Sequence, residues 1–132
     1  MTITRSQILP LLADACPPYR ADFDRFRTEF ADDERFVYIG FTEFARCLSR
    51  AMAARDEQTM RSVFDLLERF ITEGDAEVQE AAVVGIIKNL QNVNLHDKTT
   101  PDDYVPFLRA ESQHWWGRVK GFWVNGRLMN ED

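Results

Sequence analysis

Chemistry in this chain would have to begin from very few groups. Two histidines, His96 and His114, and two cysteines, Cys16 and Cys47, are the candidate bases, nucleophiles and soft metal ligands. A zinc site draws several such ligands from short, regular spacings. Neither histidine has a second histidine or a cysteine at such a spacing. His96-Asp97 forms a lone acid–base pair in a polar stretch, where a solvated histidine is the commoner outcome. His114 stands beside Trp115 and Trp116, and packing or capping among aromatics accounts for it. A reactive thiol needs a neighbour that lowers its pKa. No spacing supplies one for Cys16, which precedes Pro17, or for Cys47, which reads as a buried helix residue between Phe44 and Leu48.

Other chemistries fare no better. The six glycines, at 40, 74, 85, 117, 121 and 126, never cluster as a phosphate-binding loop requires. Asp22, Asp24 and Asp32-Asp33-Glu34 are acidic, but they lack the alternating ligands, central glycine and terminal glutamate of a calcium loop. Glu77 and Glu80 lie three apart on one helical face, and Glu43 and Glu68 lie near apolar stripes. Paired carboxylates become an acid and a base only in a pocket that separates their pKa values, and solvated helix faces carry such pairs routinely. The expectation is a protein with no catalytic residue, no metal and no cofactor. A pocket joining His96 to carboxylates would favour an enzyme instead.

The elements that position these residues are helices. Apolar residues Phe41, Phe44, Ala45, Leu48, Ala51 and Met52 repeat the spacing of Met60, Val63, Phe64, Leu67, Phe70 and Ile71, and both series mark a helix with one buried face. Asp56 is placed to cap the second of them, and the short connection makes the pair an antiparallel hairpin. Gly74 suits a left-handed helix end and Asp75 the cap of the next helix. Within 75–92 two stripes appear, Val78/Ala81/Ala82/Gly85 and Val83/Ile86/Ile87/Leu90, so this helix is central and covered on two sides, with close approach at its small residues. Upstream, Ile8, Leu11, Leu12 and Ala15 share a face, with Pro10 inside the first turn of a helix from about Ser6. After Pro17-Pro18, residues Tyr19, Phe23, Phe26 and Phe30 define another helix. Phe36-Val37-Tyr38-Ile39 fits a short extended piece and a helical turn equally. Downstream, 92–103 is a loop, Pro101 opens a short helix to about Leu108, and Ser112 caps a last helix carrying Trp115, Trp116, Val119, Phe122 and Trp123. Trp116 and Trp123 are expected at least partly buried, and the tail from about 125 frayed. The fold class is all-α: one domain, 1–132, built as an irregular bundle of antiparallel helical hairpins, with which HEAT-like packing is compatible.

Composition bounds the partners. The chain has 132 residues, 16 basic and 22 acidic, for a net charge of −6. Phosphate backbones and anionic membranes are poor partners for such a surface. The longest uninterrupted apolar run, Ala81 to Ile87, is far short of a membrane span, and the first residues carry no secretory pattern. These features point to the cytoplasm and to thiols that stay free. Residues 74–108 hold two basic and six acidic groups. Their acidic residues, Asp75, Glu77, Glu80, Asp97, Asp102 and Asp103, form the candidate partner-binding pole, steering a basic protein by charge; a solvated surface that confers solubility is the alternative.

The segment VFDLLERFITEGDAEVQEAAVVGIIKNLQN, followed by QHWWGRVKGFW, resembles a family of small bacterial all-helical proteins, similar to the immunity proteins of polymorphic toxin systems. That resemblance implies direct complex formation with a cognate protein toxin. An acidic pole suits a nuclease or another basic toxin, because it imitates the charge of a phosphate substrate. A helical adaptor or regulatory scaffold without catalytic activity is the other function class, and a small enzyme using His96 the third.

Overall fold

In the computed structural model, residues 2–29 and 36–125 are described, apart from the side chains of Phe26, Val124 and Asn125. The fold is all-α. A 3₁₀ turn, Arg5–Gln7, leads into α1 (Ile8–Ala15), followed by α2 (Pro17–Glu29), α3 (Phe36–Ala53) and α4 (Glu57–Glu73). The central helix comes next, as α5 (Ala76–Glu80), a π-helical middle (Ala81–Ile87) and α6 (Lys88–Leu90). Short 3₁₀ turns at Val93–Leu95 and Pro101–Phe107 then lead to α7 (Ala110–Asn125).

Local chemistry explains most of these bounds. Pro10 falls in the first turn of α1, where no backbone donor is needed, and Pro17 takes the first position of α2. The Asp56 side chain accepts from the Thr59 amide at 3.2 Å, and Asp75 accepts from the Val78 amide at 3.0 Å. Phe36–Ile39 is the first turn of α3, which settles the helical alternative; 32–35, Phe30 and the tail from 126 lie outside the described residues.

One local expectation is corrected and another is extended. Gly74 is not left-handed: its φ of −80° and ψ of 156° are extended, and it forms a bridge to Ile3. The Ile3 amide donates to Glu73 and the Ile3 carbonyl accepts from Asp75, so this isolated bridge pins the corner between α4 and α5. The left-handed residue is Arg55, with φ 59°, at the α3–α4 turn, where the Asp56 amide reaches back to the Ala51 carbonyl. Ser112, expected as a cap, lies in the first turn of α7, where its hydroxyl accepts from the Arg109 amide at 2.8 Å; the Glu68 carboxylate of α4 shares the capping, as described below.

Both stripes of the central helix are buried. The π-helical middle adds one residue per hydrogen-bonded ring, which a 3.6-residue pattern does not register. α3 packs against one part of it and α7 against another, while α1 is wedged among α2, α3 and α4. At Gly85 the approach is closest: a Cβ there would lie 2.5 Å from the Phe41 ring. Tyr19 ties α2 to α3 by donating its buried hydroxyl to the Gly40 carbonyl at 3.0 Å.

Gly85→Ala is therefore expected to destabilise the protein by about 1–3 kcal/mol through overpacking, against a helix-propensity gain of about 1 kcal/mol. Gly117→Ala, where nothing lies within 4 Å of the new Cβ, is expected to stabilise. Urea midpoints of the two variants should move in opposite directions.

Candidate functional site

His96 sits at the C-terminal end of the central helix, where carbonyls run out of intrahelical partners. Its Nε2 lies 2.8 Å from the Leu90 carbonyl oxygen and its Nδ1 lies 2.7 Å from Thr99 Oγ1. A carbonyl can only accept, so Nε2 carries a proton and donates. Thr99 Oγ1 is in turn 2.7 Å from Ser49 Oγ on α3. The imidazole thus closes a chain of hydrogen bonds from α3 through the loop to the central helix, with its ring against Tyr104 at 5.4 Å. A pocket of about 140 Å³ does join His96 to Asp97, beside Arg46, Arg50 and Ser49. Both ring nitrogens are already held within the fold, however, so a proton transfer there would first have to break one of those bonds. His114 is exposed and meets Trp115 edge to face.

Both thiols are free and buried. Burial pushes Cys16 from an ordinary 9.0 up to about 11. Burial also pushes Cys47 up to about 12, helped by the hydrogen bond its Sγ donates to Asp22 Oδ2 at 3.0 Å. Both therefore stay protonated through neutral pH, the opposite of what a nucleophile needs. Tyr19 and Tyr104 are also raised well above the usual phenol range, chiefly by burial.

Glu68 is a structural cap. Its two carboxylate oxygens accept from the Glu111 and Ser112 amides, each at 2.9 Å, across a gap of more than forty residues. A carboxylate on the first amides of a helix satisfies orphan donors and meets the positive end of the helix dipole. Beside it, Asp65 pairs with Arg109 at 2.5 Å, so α4 holds the start of α7 at two points. Among the described residues, no group of three or more His, Cys, Asp or Glu side chains is arranged to hold a metal. No helix there is long and apolar enough to cross a membrane.

The acidic residues fall at two ends of the central helix. Asp75 caps its start and Glu77 pairs with Arg5 at 3.6 Å. Beyond the other end, Asp102 pairs with Lys120 at 3.6 Å, and Asp103 accepts from the Thr100 amide at 2.9 Å as half of a capping box. Fifteen helical residues separate the ends, about 20 Å at the usual rise. Glu80 and Asp97 are exposed and make no ion pair among the described residues. Of the aromatics on α7, Trp116 is buried, while Trp123 keeps 47% of its surface exposed.

Gln91 and Thr99 were not singled out by sequence reasoning. Each owes its role to a partner far away in the chain: Trp116 for Gln91, at 2.9 Å, and Ser49 for Thr99. A groove of about 540 Å³ along α1, lined by Leu9, Pro10, Phe23, Phe36 and Val37 with Arg5 and Arg27, was likewise invisible to periodicity.

Residues 9–124 match the family described as Domain of unknown function (DUF7674). No curated protein and no solved structure matches the chain.

Glu68→Ala is expected to cost about 1–2 kcal/mol, as the loss of a helix cap does, and Glu68→Gln less. Hydrogen exchange at Glu111 and Ser112 should quicken before the rest of α7 responds. The pH profile follows from the two thiols and from the phenols of Tyr19 and Tyr104. Each has a folded pKa above its unfolded one, so the stability it contributes is fully present below about pH 9. It is lost as pH rises through the range where the unfolded chain ionises and the folded chain does not. Urea midpoints at pH 8, 9, 10 and 11 should fall progressively, and Cys47→Ala should flatten the first part of that fall.

Proposed function

The chain belongs to the DUF7674 family, whose description carries no role, and from its own residues we propose that it acts by binding another protein. The specific reading is an immunity protein that neutralises a cognate bacterial toxin in the cytoplasm by direct complex formation. One observation supports binding over catalysis above the others: His96, Cys16, Cys47 and Glu68, the groups best suited to chemistry, are committed to internal hydrogen bonds or buried in protonated form. Inhibition by complex formation needs none of them on the surface. It needs a stable body and a complementary face, and a net charge of −6 favours a basic partner.

The six acidic residues are not equivalent in this reading. Asp75 and Asp103 cap helices, and reversing either would damage the fold as well as the surface. Glu77 and Asp102 carry ion pairs that are largely solvated, which contribute little to stability. Glu80 and Asp97 remain as charges a partner could meet directly.

The experiment is co-purification with the products of adjacent genes, followed by titration of the partner at several salt concentrations. Recovery of one basic, toxin-sized polypeptide in a stoichiometric complex is the expected result. Glu80→Lys with Asp97→Lys should then weaken binding about tenfold at low salt, mainly through a slower on-rate, and leave the urea midpoint unchanged. Unchanged affinity would remove these residues from the interface. Recovery of a housekeeping protein instead would favour an adaptor.

A further inference from the structure

We infer that the pocket between α3 and the loop after the central helix binds a small free α-amino acid by its carboxylate and its ammonium. The site stands apart from the protein-binding reading, although Asp97 serves both.

Arg46, Ser49 and Arg50 share one face of α3, and Asn94, His96 and Asp97 meet them across a pocket of about 140 Å³. That volume has room for about five waters. Its two walls are tied together, because His96 bonds to the Leu90 carbonyl and, through Thr99, to Ser49.

The charges in this pocket are unequally committed. Arg46 is exposed and makes no hydrogen bond or ion pair among the described residues. It stands one helical turn from Arg50, a like charge whose proximity costs stability unless something answers it. Arg50 is already answered. Its Nη2 donates to Cys47 Sγ at 3.0 Å and lies 3.4 Å from Asp22, while its Nη1 and Nε make no bond among the described residues. On the loop side, Asp97 is exposed and makes no ion pair. Arg46 and Asp97 therefore line one small pocket with opposite charges, and neither has a partner.

This pattern selects the ligand. A lone anion would pair with Arg46 and meet Asp97 as a like charge. A lone cation would pair with Asp97 and meet two guanidinium groups. An uncharged molecule would answer neither. A zwitterion answers both, and it adds no net charge where Arg46 and Arg50 already balance Asp22 and Asp97. An α-amino acid carries both charges on one carbon, a span that a pocket of this size encloses. Its carboxylate accepts from the Arg46 fork and from the unused donors of Arg50. Its ammonium donates to Asp97. The exposed Asn94 side chain has both a donor and an acceptor to add.

The test uses the full chain, ¹⁵N-labelled, titrated separately with alanine, with N-acetylalanine, which lacks the ammonium, and with alaninamide, which lacks the carboxylate. Saturable shifts are expected with alanine at the Arg46 and Arg50 Nε–H groups and at the amides of 94–97. Each blocked probe should bind at least about tenfold more weakly. Arg46→Gln should weaken alanine about tenfold. Asp97→Asn should weaken alanine and spare N-acetylalanine, and neither change should move the urea midpoint, since both side chains are exposed. N-acetylalanine binding as tightly as alanine would overturn the proposal in favour of a plain anion site. Alaninamide doing so would reduce the site to Asp97 alone. No saturable shift at about 10 mM alanine would also overturn it. So would an Arg46 Nε–H resonance that moves on Asp97→Asn without ligand, because the two would then pair directly. The two readings fail separately. Alanine binding without any protein partner leaves this site standing, and a recovered partner without alanine binding removes the site and leaves protein binding intact.

Discussion

The Phe41 ring lies where a side chain at position 85 would have to be, and that close approach of α3 to the central helix organises the rest of the fold. With α3 seated on one side of residues 76–90, the remaining apolar stripe has to be covered from another direction. α7 covers it, held at its start by Glu68 and Asp65 of α4. Helix α1 fills the angle among α2, α3 and α4, and the bridge at Ile3 locks the corner where α4 turns into the central helix. Both α3 and α7 are needed over the central helix, because a helix with two apolar faces leaves half its hydrophobic surface in water until both are covered.

The polar residues follow the same logic. Helix ends leave unpaired amides and carbonyls, and a small helical protein has many ends. Asp56, Asp75, Asp103 and Glu68 answer amides; His96 answers a carbonyl. Residues that would look chemically versatile in a linear sequence are thus recruited to finish helices. The thiols add little polarity to a core and are protonated there. The surface of the described residues then carries charge, the half-covered aromatic end of α7 and the apolar groove along α1.

Helical periodicity was legible because it depends on near neighbours. The stripes of α3, α4 and the central helix, the caps at Asp56 and Asp75, and the small residues that allow close approach were all readable from spacing. Where local and distant influences competed, local reading failed. Gly74 has the freedom to turn left-handed, but its bridge to Ile3 holds it extended, and Arg55 takes the left-handed position instead. Ser112 does accept from the Arg109 amide at the start of α7, but the carboxylate that meets the next amides arrives from α4, which spacing could not show.

The candidate site divides the same way. Composition and order alone determined the acidic balance, the all-helical class and the scarcity of catalytic groups, since these need no knowledge of what lies opposite what. Only the tertiary structure decided that the acidic residues part into two groups at opposite ends of one helix. It also decided that His96 is bonded on both nitrogens, and that buried Gln91 donates to the Trp116 carbonyl. The physical reason is that a side chain's chemistry is set by its partners and its exposure to water. In this fold those partners lie far away in the chain, fifty residues for Ser49 and Thr99 and further still for Arg5 and Glu77.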